Sequence, residues 1–203
     1  MAAMAEPHTD EPISDVERIR ALAHPLRLDL LDWLGEVERA TATECAAHLG
    51  ESVASCSFHL RMLEKYGFVE RAERRGREKP WRLVHASGYE LRPAPDKPAS
   101  YPAVGQVAAL QVQRECERIK ASLARLDRED DAWVQASTVT STSFWATAEE
   151  MAEFSRDLRE LVARFGGRSG DPAQRPPGAR QGRLFGVVTV DPAGSDEDGA
   201  GGA

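Results

Sequence analysis

Eight basic side chains crowd into residues 52–82: Arg61, Lys65, Arg71, Arg74, Arg75, Arg77, Lys79 and Arg82. Glu64, Glu70, Glu73 and Glu78 oppose them, so this segment carries +4 and the other residues carry −11 of a total of −7. Guanidinium groups at such density neutralise phosphates and release their counterions. The surrounding pattern supplies a second half to that chemistry. A short helix meets a turn at Gly50, a second helix starts at Ser52, and a Gly- and Pro-punctuated basic hairpin follows. A helix of this size fits a major groove, and a charged hairpin beside it can grip the flanking backbone. Within the second helix Cys56, Leu60 and Leu63 recur at spacings of four and three and mark the buried face. Ala54, Ser55, Phe58 and Arg61 then point outward.

Other chemistries find less support. The chain of 203 residues has three cysteines, Cys45, Cys56 and Cys116, an odd number without tight spacing. That pattern fits reduced thiols in a cytoplasm rather than a disulfide framework. The first residues, MAAMAEPHTDEP, are polar and acidic, unlike a secretory signal, and no apolar run approaches a membrane span. No Gly-x-Ser-x-Gly, phosphate-binding glycine loop or His-Glu-x-x-His occurs, so an enzyme is not expected. Glu149 and Glu150 fall in the first turn of a helix, where carboxylates favour the dipole. No cofactor is expected.

The elements that must hold the outward face are legible from periodicity and punctuation. Ser14 with Glu17 forms a capping box that starts a first helix carrying Val16, Ile19 and Leu22. Pro25 opens a second helix to about Val37, whose five leucines and Trp33 imply neighbours on several sides. A third helix starts at Thr43, with Cys45, Ala46 and Leu49 inward. The fourth is the Ser52 helix, closed by Gly67. Phe68 begins one strand and Trp81 the returning one, with residues 74–80 as the turn. Prolines 93, 95, 98 and 102 form a stiff connector. A long helix, about 103–130, carries Val112, Ile119 and Leu126 seven apart, with Ala108, Cys116 and Leu123 on the adjoining row. This narrow seam suits the first helix, a second subunit, or both. Residues 138–145 alternate and read as a strand, Thr147 caps a helix over 148–165, and residues 183–190 read as a last strand. The fold class is therefore mainly α with a small β wing: a winged helix-turn-helix, a long dimerisation helix and a small α+β C-terminal extension. The expected divisions are disordered residues 1–12, a DNA-binding domain 13–90, a Pro-rich linker 91–102, an extension 103–190 for dimerisation or an effector, and an acidic disordered tail 191–203.

The segments IRALAHPLRLDLLDWL, ATATECAAHLGESVASCSFHLRMLEKYGFVE and RAERRGREKPWRL together resemble the ArsR-type winged-helix transcriptional regulators. The resemblance covers about Ser14 to Gly88. It implies a homodimer that binds double-stranded DNA at a palindromic operator, commonly as a repressor. It places Ser52, Val53, Ser55, Ser57 and Phe58 where the family's recognition helix meets bases and phosphates, Arg61 where a basic residue touches the backbone, and Arg74, Arg75 and Arg77 in the wing. Relatives often carry Gln or His where this chain has Val53 and Phe58, so their sequence preference does not transfer. Phe58 can contact a thymine methyl but makes no bidentate base bond. Many such proteins sense metals through two or three close Cys or His ligands. Here Cys45 stands alone in the third helix, Cys56 falls on the apolar face, Cys116 has no histidine on its helix, no His follows His85, and His24 precedes Pro25 at a helix start. No metal site is expected.

Two functional readings remain open at this point. The first is a cytoplasmic, homodimeric transcriptional regulator, with an unknown small-molecule effector in a pocket formed by Trp133, Phe144, Trp145 and Phe185. The second is a protein-interaction module that kept the winged-helix fold and no longer binds DNA, which the −11 outside the basic segment favours.

Overall fold

The computed structural model describes residues 12–74, 79–85, 88–168 and 171–190. The first helix, α1 (Val16–Arg20), starts one residue later than its sequence suggests. Asp15 is the cap, and its carboxylate accepts from the Arg18 amide at 2.9 Å. The carboxylate is the stronger acceptor for an orphan amide, so it displaces Ser14 from that role. Helix α2 (Pro25–Val37) has the expected bounds. Its cap is His24, whose Nδ1 accepts from the Leu26 amide at 3.2 Å. Helix α3 (Ala42–Leu49) is closed at its start by a reciprocal box between Thr41 and Glu44 and at its end by Gly50, at φ 70°. A left-handed residue there turns the chain sharply, and glycine adopts that conformation without strain. Helix α4 (Val53–Lys65) follows after two residues, capped by Ser52, whose hydroxyl accepts from the Ser55 amide at 3.1 Å. Gly67, at φ 74°, releases the chain from it.

The hairpin has strands β2 (Val69–Arg71) and β3 (Trp81–Leu83), antiparallel with Val69 opposite Leu83 and Arg71 opposite Trp81. A third strand, β1 (Arg39–Ala40), joins on the other side of β3 and was not expected from sequence. Two residues after a helix carry no periodic signal, and only the nearby edge of β3 makes them a strand. The core lies between α1, α2, α3, α4 and the sheet: Ile19, Leu22, Leu30, Leu34, Cys45, Cys56, Leu60, Leu63, Val69 and Trp81 are all but inaccessible.

The proline segment is tied into this body. Ile13 and Leu91 form a parallel bridge, and Leu91 packs on the core. Ser100 is buried, with its hydroxyl donating to the Lys97 carbonyl at 2.6 Å and accepting from the Ala94 amide at 2.9 Å. The long helix, α5 (Ser100–Leu123), packs on α1 and buries Ala103 and Val107. It begins earlier and ends earlier than the seam suggested, and a 3-10 turn (Leu126–Arg128) replaces its last residues. The seam itself faces away from α1: Val112, Ile119, Leu123 and Leu126 are exposed, as is Cys116, and Ala108 is half-buried. Further along, α5 meets α2 through charge. Arg114 donates to Asp29 and, at 2.8 Å, to Asp32, which also accepts from Arg118 at 2.6 Å.

A short helix, α6 (Asp131–Ala136), and α7 (Ala148–Ala163) follow. Thr147 and Glu150 form a capping box on α7, and the Thr147 amide and hydroxyl hold the Glu150 carboxyl below its ordinary range. Residues 138–145 and 183–190 take neither helical nor strand structure. Alternation specifies which side chains share a face but not a ladder partner, and among the described residues neither segment has one. The described residues form two compact units. One runs to Thr140 and takes in Phe165–Gln181; the other comprises Ser141–Arg164 and the residues from Gly182 on. Helix α5 thus belongs with the helix-turn-helix body. The segments expected to be disordered, 1–12 and 191–203, lie outside the described residues except for Pro12.

Candidate nucleic-acid interface

Helix α4 has two sharply different faces. Cys56, Leu60 and Leu63 are buried against the body of the domain. On the opposite side Ser52, Val53, Ala54, Phe58 and Arg61 are exposed, with Ser55 and Ser57 half-buried at its margins. Val53 retains 46% of its accessible surface and Phe58 retains 54%, so two apolar side chains stand in solvent on the outward face. The turn at Gly50 packs α3 against α4, and Ser52, Val53 and Ala54 at the N-terminal end of α4 are exposed. This end carries the positive pole of the helix, which favours phosphate.

The Phe58 ring is held edge-on against His59, with centroids 5.2 Å apart and planes at 81°. His59 in turn lies against His24, the cap of α2, at 4.3 Å. Burial holds the His59 imidazole below its ordinary pKa, and the neighbouring His24 and Arg27 push in the same direction while Glu51 opposes them. Sequence reasoning placed His24 at a helix start and overlooked His59. Their 35-residue separation gives no local signal, and only the crossing of α2 and α4 unites them.

At the hairpin, Arg71 folds back rather than reaching out. Its guanidinium lies 3.5 Å from the centroid of Trp81 and donates to the Lys79 carbonyl at 2.9 Å. Arg82 pairs with Glu70 at 2.6 Å across the strands. Both arginines therefore belong to the base of the hairpin. Arg74 is exposed beyond it. Arg75 and Arg77 lie outside the described residues.

Burial pushes the Cys45 thiol up to about 12, with Cys56 and Glu44 adding to the effect, and Cys56 is also raised. Both therefore remain protonated thiols, the poorer metal ligand and nucleophile. Among the described residues no group of three or more His, Cys, Asp or Glu is placed to hold a metal ion. Trp133 belongs to the first unit, where Arg180 lies 4.9 Å over its ring and also clamps Glu129 with two hydrogen bonds of 2.6 and 2.8 Å. That clamp holds the Glu129 carboxyl down at about 2. Phe144, Trp145 and Phe185 belong to the second unit. There Phe144 meets Phe154 of α7 at 5.4 Å, and Trp145 is fully exposed. The ion cluster between α2 and α5 was also overlooked. Its signal was present, since Asp29 and Asp32 are three apart and Arg114 and Arg118 four apart, each pair on one helix face.

Residues 22–72 match a family model described as a helix-turn-helix domain, a range that takes in α2, β1, α3, α4 and β2. The match supports a DNA-binding regulator. No curated protein matches the chain. No helix among the described residues is long and apolar enough to cross a membrane.

Proposed function

We propose that this chain is a cytoplasmic transcriptional regulator of the ArsR type that binds a palindromic operator as a homodimer and acts as a repressor. The observation that carries the reading is the two-faced α4. Its leucine side is locked in the core, and its opposite side offers Ser52, Val53, Ala54, Phe58 and Arg61 to solvent beside an arginine-bearing hairpin. Recognition helix, backbone-touching Arg61 and wing residues Arg74, Arg75 and Arg77 would meet one half-site, and a second protomer would meet the other about one helical turn away. The exposed stripe of Val112, Ile119 and Leu123 on α5 supports the pairing of protomers, because apolar residues in helical register gain by burial against a copy of themselves.

Selection of bound sequences from a random duplex pool tests this proposal. A symmetric site with two half-sites one turn apart is the expected result. A chain without measurable affinity for any duplex at low salt would overturn it and favour a winged-helix module that binds protein instead.

A further inference from the structure

We infer that the α4 face reads thymine, through its 5-methyl group, rather than purine edges through paired hydrogen bonds. The inference rests on the DNA-binding reading above and names what that site recognises. Bidentate base reading needs Arg or Lys on guanine, or Asn or Gln on adenine. Helix α4 contains no Asn or Gln, Arg61 is its single arginine, and its one lysine, Lys65, is its last residue, with the ammonium 5.1 Å over the Tyr66 ring. His59 is turned inward against His24. The hydroxyls of Ser52, Ser55 and Ser57 both donate and accept, so they discriminate little between bases.

Beside Ser52 and Arg61, what the outward surface presents is apolar. Ala54 and Phe58 lie one helical turn apart on the exposed side, Val53 precedes Ala54 at the start of the helix, and Val53 and Phe58 keep about half their surface. The thymine methyl is the apolar feature that a major groove presents, and it distinguishes T·A from every other pair there. The edge-on contact with His59, which is itself set against His24, favours one orientation of the Phe58 ring. A preorganised ring loses little freedom on docking, so a small apolar contact is kept as affinity.

The experiment uses the full chain and a duplex recovered from the random pool, prepared with thymine and again with deoxyuridine at each T of one half-site. Uracil differs from thymine only by that methyl, so pairing and phosphates are unchanged. Each methyl removed from contact should weaken binding about fourfold, the effect of one buried carbon. Phe58→Ala should bind the thymine and uracil duplexes alike at the affected position. Phe58→Leu, still apolar, should keep part of the difference. Phe58 is exposed, so both variants should fold, which a circular dichroism spectrum matching the parent confirms. Tight binding to a selected duplex with equal affinity for its uracil form overturns the thymine inference and leaves the DNA-binding proposal standing. A protein that selects no duplex at all removes both.

Discussion

Leu60 and Phe58 are two residues apart on one helix, and their truncation should differ sharply in its effect on stability. Leu60 is 0% exposed and belongs to the core cluster with Cys56 and Leu63. Leu60→Ala removes three buried carbons, about 2.4 kcal/mol of transfer free energy at about 0.8 kcal/mol each. The cavity left behind adds to this, because helices pinned on several sides relax only partly, so the total should lie at about 2.5–5 kcal/mol. That is a large share of the roughly 5–15 kcal/mol that holds a domain of ordinary size together. Phe58→Ala removes an exposed ring and should change stability by no more than about 0.5 kcal/mol. Urea unfolding followed by far-UV circular dichroism measures both. The Leu60 variant should shift the midpoint strongly with little change in slope, since the surface exposed on unfolding is nearly constant. A loss below about 1 kcal/mol for Leu60→Ala, or an equal loss for Phe58→Ala, would refute the assignment of inward and outward faces on which the recognition surface depends.

Three further outcomes follow from the same geometry. Arg74→Ala combined with Arg77→Ala should weaken binding to every duplex and flatten the dependence of log affinity on log salt by about 1.8 per protomer, as expected for two lost phosphate contacts; a titration over a salt series reads this, and an unchanged slope removes the hairpin from the interface. Asp32→Ala deprives Arg114 and Arg118 of a shared acceptor at 2.8 and 2.6 Å. Because all three groups keep some solvent and Arg114 retains Asp29, the cost should be about 1–2 kcal/mol, and a double-mutant cycle with Arg118→Ala should show coupling. For His59, burial holds the folded imidazole below the ordinary 6.5. The unfolded chain therefore takes up the proton first as pH falls. This contribution to stability is complete above about 6.5 and is lost on descending through the window toward the folded value. Urea midpoints at about pH 7.5 and about pH 5.5 should differ less for His59→Gln than for the parent, and equal differences would mean that another group titrates.

Much of the recognition element was legible because its signals are local. Pro25 at a helix start, Gly50 and Gly67 in left-handed turns, Ser52 as a cap and the four-then-three spacing of Cys56, Leu60 and Leu63 each act within a turn or two of chain. The same holds for Thr147 as the cap of α7, although the reciprocal bond from Glu150 was not read from the sequence. The misplaced cap at Ser14 shows the margin of such reading, since an acidic neighbour one residue on offered a stronger acceptor.

The chain's order alone thus determined where α2, α4 and α7 begin, that two strands flank the basic hairpin, and which side of α4 is apolar. The tertiary structure decided what no local pattern contains. It made β1 a strand by bringing Arg39 and Ala40 beside β3, and it withheld a ladder from residues 138–145, whose alternation names no partner. It buried Ala103 and Val107 of α5 on α1 and left Val112 and Ile119 outside, although all four are small or branched apolar residues. It also backed Phe58 with His59 and His24, and joined α2 to α5 through four charged side chains. Periodicity is a property of the backbone helix and of the residues a few places apart. Which apolar face meets which neighbour depends on contacts between residues tens of positions apart, and their free energies are settled only when the whole body has packed.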